Sequence, residues 1–109
     1  MIDGVEIIKS NLKNIGNNSG VYRMLDEQEN VLYVGKAKNL TNRVKSYTNL
    51  KNLSHRIAKM VTLTRSMEFV TTHTEVEALL LEANMIKRYK PHYNILLRDD
   101  KSFPYILID

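Results

Sequence analysis

The chain has no cysteine among its 109 residues. Disulfide bonds, thiolate metal sites and cysteine nucleophiles are therefore excluded together, and the reducing cytoplasm is the compartment that we expect. No run of about 18 apolar residues occurs, so the sequence predicts neither a membrane span nor a membrane partner. The first nine residues carry acidic side chains and no apolar segment, so we also expect no signal peptide.

Proline and glycine are scarce, with 2 and 4 residues respectively. No Pro/Gly-rich linker, repeat or low-complexity tract divides the chain, and its length suits one core. We therefore expect a single domain over residues 1–109, monomeric when isolated. The sequence closes in an apolar stretch, Phe103–Ile108, which favours a domain cut from the N-terminal part of a longer chain. A complete terminal strand is the alternative interpretation.

Acidic residues are missing from the middle of the chain. Residues 36–65 contain eight basic side chains and no acidic one, within a protein of net charge +4. Such one-sided charge attracts phosphate backbones and makes binding dependent on salt, although a solvated helical surface has the same composition. Six of these residues are candidates for DNA contacts: Lys36, Lys38, Arg43, Lys45, Arg56 and Lys59.

Hydrophobic spacing predicts an α/β sandwich, in which a small, mainly antiparallel three-stranded sheet is flanked by helices. We expect Asn39 to cap one helix, and Thr74 with Glu77 to form a capping box at the start of another. The predicted elements are a helix within residues 2–15, strands Val21–Leu25 and Val31–Gly35, helices over 40–47, 52–65 and 75–89, strand Glu68–His73 and strand Phe103–Ile108.

Two tyrosines stand in the predicted hairpin, Tyr22 on its first strand and Tyr33 on its second. Tyrosine is common in strands, so packing alone could explain each of them. Their rings share one face if Tyr22 roughly opposes Tyr33, a register that places Leu25 opposite Asn30. In any other case a bulge must correct the parity of the pairing.

The same residues carry a resemblance to a known family. The segments GVY (20–22) and YVG (33–35) resemble the two half-motifs of the GIY-YIG nucleases, each with valine for isoleucine. The longer segments YVGKAKNLTNRVKSY (33–47) and EALLLEANMIKRYKPHYNILLRDDKSFPYI (77–106) are similar to the N-terminal domain of UvrC. UvrC is a subunit of the bacterial nucleotide-excision repair nuclease, and the similarity extends over almost the whole chain.

This resemblance implies the GIY-YIG nuclease fold and a metal-dependent DNA endonuclease. Its reaction would be hydrolysis of a phosphodiester bond on the 3′ side of a lesion, after UvrA and UvrB have opened the damaged duplex. The 5′ incision belongs in this family to a different domain. The cofactor implied is one divalent metal ion, Mg²⁺ or Mn²⁺, which suits a single carboxylate with water and phosphate oxygens.

The resemblance also implies the roles of individual residues. Glu82 would bind the metal, and Arg43, helped by Lys36, would contact the scissile phosphate and neutralise its charge. Tyr33, or alternatively Tyr22, would accept or relay the proton of the attacking water.

Two further residues would assist. Tyr47 would orient substrate or water, and Asn94 would orient Glu82 or a metal-bound water. Helical spacing by itself places Glu82 at the margin of a buried stripe, where a peripheral glutamate paired with Lys87 or with a basic side chain from another element is the ordinary explanation. The residues predicted to form that stripe are Val76, Leu79, Leu80, Ala83 and Ile86.

Three other functions compete with this interpretation. The nearest is another GIY-YIG nuclease, either stand-alone or of the homing type. A non-catalytic nucleic-acid-binding module would use the basic residues 36–65 alone, and a structural α/β adaptor would bind only proteins. A histidine metal site is not expected, because His55, His73 and His92 lack ligand spacing.

Overall fold

Three antiparallel strands form the centre of the molecule, in the order β2-β1-β3. The computed structural model describes residues 3–98, and within them the predicted three-stranded sheet flanked by helices is confirmed. The helices and strands are α1 Gly4–Asn11, β1 Gly20–Leu25, β2 Val31–Ala37, α2 Leu40–Lys45, α3 His55–Leu63, β3 Ser66–Thr71, α4 Glu75–Tyr89 and α5 His92–Arg98.

Both predicted helix caps are present. The Asn39 side chain accepts a hydrogen bond from the Asn42 N–H, which begins α2. The Thr74 side chain accepts from the Glu77 N–H while the Glu77 carboxylate accepts from the Thr74 N–H, so that the capping box is complete in both directions. Such caps satisfy N–H groups that the first helical turn leaves without partners.

The hairpin register differs from direct opposition of the two tyrosines. Tyr22 pairs with Gly35 and Tyr33 pairs with Met24, so the rings lie diagonally on one face. Leu25 pairs with Val31 rather than with Asn30, and a register shift follows between Met24 and Leu25. We expect such an irregularity if Tyr22 does not directly oppose Tyr33.

Gly35 is required by the ring that crosses it. A Cβ atom at this position would lie 2.8 Å from Cε1 of Tyr22 and nearer still to its Cζ and Oη. Glycine therefore allows the Tyr22 ring to lie flat against the neighbouring strand. Tyr22 of the first half-motif and Gly35 of the second therefore form one packing contact.

Helices cover both faces of the sheet. On one face Tyr22, Met24 and Tyr33 pack with buried residues of α1, α2 and α3, including Ile8. On the other face Val21 and Val34 pack against α4. None of the helices formed by residues 3–98 is long and apolar enough to cross a lipid bilayer.

The predicted buried stripe of α4 is wrong in most of its members. Ala78 is buried, and Leu81, Met85 and Ile86 pack against the sheet with it. Of the predicted stripe, only Ile86 lies on this face, while Val76, Leu79 and Leu80 are 64%, 44% and 60% exposed and Ala83 is exposed. Two apolar stripes compete on this helix, and the sheet selects the one that contains the small side chain of Ala78, which allows close approach.

Helix α5 was not predicted. It follows Lys90, whose positive φ of 46° ends α4, and Pro91. Its seven residues contribute Tyr93 and Leu97 to the main core, and this burial stabilises a helix too short to be predicted from periodicity. The strand predicted over Phe103–Ile108 lies outside the described residues.

Candidate active site

Three tyrosine side chains meet on the face of the sheet covered by α2. The ring centroids of Tyr22 and Tyr33 are 6.2 Å apart, and those of Tyr22 and Tyr47 are 5.9 Å apart. The Tyr22 and Tyr47 hydroxyls are hydrogen-bonded at 2.6 Å, and Tyr33 and Tyr47 act on each other's pKa. Tyr47 therefore interacts with both of the other tyrosines, and its role in orienting substrate or water stays a prediction.

Helix α2 and the turn that follows it position Tyr47. Leu40 and Val44, at helical spacing, are fully buried and fix the orientation of the helix against the sheet. Tyr47 continues the same buried face in a 3-10 turn over Ser46–Thr48, as the spacing predicts. Arg43 lies beside this face and is exposed, so its guanidinium is accessible from solvent.

Burial governs the ionisation of the tyrosines. Desolvation raises the pKa of both Tyr22 and Tyr33 well above 10.0, the ordinary value, and the positive charge of Arg43 only partly opposes it. The pKa of Tyr47 is also raised by burial, but hydrogen bonds from Tyr22 and Tyr33 and the charge of Arg43 lower it. Without additional positive charge, all three hydroxyls are protonated at neutral pH.

Glu82 belongs to the same electrostatic cluster, although it lies on α4. Burial raises the pKa of its carboxyl above the ordinary 4.5, while the charges of Lys36 and Arg43 lower it. The Glu82 charge also helps to raise the pKa of Tyr33. Among residues 3–98 no ion pair joins Glu82 to Lys87, and the basic side chains that act on Glu82 come from other elements.

Asn94 acts on the strand that carries Tyr33. Its Oδ1 accepts from the Val34 N–H at 2.8 Å, and its Nδ2 donates to the Val34 carbonyl at 2.9 Å. The side chain thereby substitutes for a neighbouring strand at the outer edge of β2. These two hydrogen bonds fix β2 at Val34, next to Tyr33, and a role of Asn94 in orienting Glu82 or a metal-bound water stays a prediction.

The basic residues divide into two groups. Lys36 and Arg43 are near enough to Glu82 to affect its ionisation, whereas Arg56 donates to the Leu96 carbonyl at 3.0 Å and joins α3 to α5. Lys38 is exposed beside Arg43, in a cleft that the sequence did not predict. The remaining candidates, Lys45 and Lys59, are exposed.

The acidic side chain at the site fits one hard divalent cation. Within residues 3–98 no group of three or more His, Cys, Asp or Glu side chains is placed to hold a metal ion. Glu82 offers one half-buried carboxylate beside two cations that suit phosphate oxygens. This set matches Mg²⁺ or Mn²⁺, which retain water ligands, and does not match a structural zinc site.

A family model described as the UvrC-like GIY-YIG domain matches residues 18–95. The chain belongs to this family. The match begins just before β1 and ends within α5, so it contains every residue of the cluster described above.

Curated members of the family are similar over almost the entire chain. UvrABC system protein C of Zymomonas mobilis is 63% identical over 105 residues, 96% of this chain and 16% of its own length. The protein of the same description from Hyphomonas neptunium is 60% identical over 105 residues, again 96% of this chain, and 17% of its own length is covered. The chain thus spans about one sixth of the length of these relatives.

A solved structure supports the family assignment. The N-terminal GIY-YIG endonuclease domain of UvrC from Thermotoga maritima, bound to magnesium as its catalytic divalent cation, has a TM-score of 0.72 and 32% identity. The alignment covers 79% of this chain and 93% of that domain. Variants of that domain with a tyrosine replaced by phenylalanine, or an asparagine by alanine, are also described as bound to the cation.

Proposed function

We propose that this UvrC-like GIY-YIG domain is a divalent-metal-dependent endonuclease that makes the 3′ incision in bacterial nucleotide excision repair. Its substrate would be damaged duplex DNA, and its partners UvrA and UvrB, acting in the cytoplasm. The observation that supports the catalytic part is the convergence of Glu82, Arg43 and Tyr33 from three separate elements: besides burial, Glu82 and Arg43 act on the pKa of Tyr33, and Arg43 acts on the pKa of Glu82. The longer relatives, which are named for the UvrABC system, support the biological part.

Tyr33 is the tyrosine best placed to receive the proton of the attacking water. It is the member of the hydroxyl network whose pKa responds to Glu82, whereas the pKa of Tyr22 responds to Tyr47, Tyr33 and Arg43. Tyr33 is therefore near enough to Glu82 for the carboxylate charge to act on its hydroxyl. Tyr22 packs against the Tyr33 ring. Burial and the interaction with Tyr47 raise the pKa of Tyr33, so its phenolate depends on the positive charge of Arg43 and of a bound metal ion.

Arg43 would bind the non-bridging oxygens of the scissile phosphate. Its planar, always-ionised group can donate two parallel hydrogen bonds, and Lys36 adds a point charge on the same side of Glu82. Neutralising charge that grows in the transition state is the largest contribution expected from such groups. Both side chains are exposed, which suits contact with DNA rather than with the core.

Glu82 would hold the metal ion, and Asn94 would keep β2 in place through Val34. A bound Mg²⁺ or Mn²⁺ supplies Lewis-acid polarisation of a phosphate oxygen and stabilises the departing 3′ oxygen. Because burial raises the pKa of Glu82, an adjacent cation also relieves the cost of its ionised form.

The test compares Glu82→Gln with Glu75→Gln, an exposed glutamate on the same helix. Nicking of a lesion-bearing, 5′-incised duplex is measured with the full-length protein, UvrA and UvrB, with and without Mg²⁺. We expect Glu82→Gln to lose cleavage by at least about a hundredfold and to retain DNA binding. The Glu75→Gln control should cut normally.

The rival function is a module that binds nucleic acid without cutting it. Wild-type binding with no Mg²⁺-dependent nick, and no difference between the two variants, would establish that rival and overturn the nuclease assignment. Cleavage of undamaged DNA without UvrA and UvrB would instead favour a stand-alone GIY-YIG nuclease.

A further inference from the structure

A cleft of about 400 Å³ lies beside the tyrosine network, at the junction of β2 and α2. Its walls contain two cations, two asparagines and a serine, and no carboxylate: the lining residues are Ala37, Lys38, Asn39, Asn42, Arg43 and Ser46. Only Arg43 also belongs to the catalytic cluster. The cleft is therefore a neighbouring site that shares one guanidinium with the cluster.

The polar groups of the cleft are not equally available. The Asn39 side chain is used as the cap of α2, and the Ser46 hydroxyl donates to the Arg43 carbonyl at 2.6 Å. In contrast, among residues 3–98 the exposed Asn42 side chain makes no hydrogen bond. The ammonium of Lys38 has only a long contact of 3.9 Å with Glu75, and both side chains are largely exposed. Two donors, one of them charged, are thus available to a ligand.

An anion is the ligand class that fits these donors. Lys38, Arg43 and the Asn42 amide all donate, and the wall has no carboxylate to repel negative charge. Phosphates along one DNA strand follow each other at about 3.4 Å of axial rise per nucleotide. Because Arg43 both lines the cleft and belongs to the catalytic cluster, a strand whose scissile phosphate contacts Arg43 would have an adjoining phosphate within reach of the cleft.

We infer that this cleft binds one uncut phosphate immediately beside the scissile phosphate, with Lys38 and Asn42 as its positioning residues. The inference rests on the proposed nuclease function. Fixing the adjoining phosphate would set the direction of the strand across the tyrosine network, because a single phosphate contact leaves the strand free to pivot about Arg43.

The test pairs a change in the protein with a change in the DNA. Substrates carry one uncharged methylphosphonate on either side of the scissile phosphate, and equilibrium affinity and single-turnover nicking are both measured with the full-length protein and its partners. We expect wild type to bind one of the two modified substrates about tenfold more weakly, the effect of one charge-assisted hydrogen bond.

The variants are Asn42→Asp and Lys38→Ala, with exposed controls Asn49→Asp and Lys51→Ala. Asn42→Asp places an acid in the first turn of α2, where it stabilises a helix, so weaker binding would not reflect unfolding. We expect Asn42→Asp and Lys38→Ala to weaken binding of unmodified DNA about tenfold and to lose the response to the methylphosphonate. Both controls should retain wild-type affinity and response.

The subsite would be overturned if Asn42→Asp and Lys38→Ala respond to both methylphosphonate substrates as wild type does. It would also be overturned if the control variants lose as much DNA affinity as these two variants. If wild type shows the phosphate dependence and the variants abolish it, yet no strand is cut, the subsite is supported and the nuclease proposal fails. The two proposals are thereby separated by two readouts on the same samples.

Discussion

Replacing Gly35 with alanine should damage the tyrosine network without removing a polar group. The added Cβ would lie 2.8 Å from Tyr22 Cε1, whereas ordinary contact begins at 3.4 Å, so the ring must move by at least about 0.6 Å. Cζ and Oη of the same ring are nearer still, so the shift approaches about 1 Å, a displacement that can cost about a hundredfold in rate. We expect single-turnover nicking to fall by about that factor.

The stability of the same variant should fall as well. Overpacking a buried contact costs about 1–3 kcal/mol, which corresponds to roughly 4–8 °C in Tm per kcal/mol for a domain of this size. Thermal unfolding followed by circular dichroism measures this loss. Gly16→Ala is the matched control, since its nearest obstacle is the Asn18 side chain at 3.2 Å, on the surface.

A double variant tests whether Gly35→Ala acts through the Tyr22 hydroxyl. Tyr22→Phe alone removes the 2.6 Å hydrogen bond to Tyr47. If the displaced ring is the cause, Gly35→Ala combined with Tyr22→Phe should cut no more slowly than the worse single variant. Full activity of Gly35→Ala, or rate losses that multiply in the double variant, would refute the reasoning.

Three more outcomes are expected. Asn94→Ala should destabilise the fold by about 1–3 kcal/mol in denaturant unfolding, since it leaves the buried Val34 N–H and C=O without partners, whereas the exposed Asn84→Ala should change little. Metal-free Glu82→Gln should have a higher Tm than metal-free wild type at pH 7. Burial raises the folded-state pKa of the Glu82 carboxyl, so the folded wild-type protein is more stable when this carboxyl is protonated. That stability is present at low pH and is lost as the pH rises through the folded-state pKa. The gain should vanish well below the ordinary pKa of 4.5, and a gain that persists there would implicate another cause. Tyr33→Phe should flatten the pH profile of single-turnover nicking. In wild type the rate should rise about tenfold per pH unit without a plateau below the ordinary pKa of 10.0, because burial raises the pKa of Tyr33 and the phenolate is the active form. An unchanged slope would exclude Tyr33 as the base.

Short-range signals in the sequence predicted the fold well. Asn39, Thr74 and Glu77 have caps that depend on neighbouring residues alone, and all three function as expected. The hairpin follows from two runs of apolar and aromatic residues around Asp26, whose side chain accepts from the Asn30 N–H at 2.9 Å.

Long-range packing could not be read in the same way. The apolar residues of α4 satisfy two helical stripes, and the choice depends on how closely the helix approaches Val21 and Val34. Similarly, Asn94 resembles a turn residue in sequence, whereas its contact with Val34 joins elements 60 residues apart. Hydrophobic periodicity contains no information about which strand edge will form hydrogen bonds with the side-chain amide of Asn94.

The sequence indicated which residues form the candidate site but not how these residues contact one another. The family resemblance pointed to Tyr22, Tyr33, Arg43 and Glu82, and these are brought together. The position of Tyr47 as the shared partner of two tyrosines depends on the orientation of α2 against the sheet. The cleft that contains Asn42 has no signature in the sequence, because its walls come from a strand end and one face of a six-residue helix.

The most direct measurement of the central claim is the single-turnover nicking rate of Arg43→Ala, Glu82→Gln and the double variant. If the guanidinium and the carboxylate serve one phosphodiester group, each single change should remove most of the catalysis, and the double variant should be within about tenfold of the slower single one. Losses that multiply fully in the double variant would mean that the two side chains act independently, and would contradict the account.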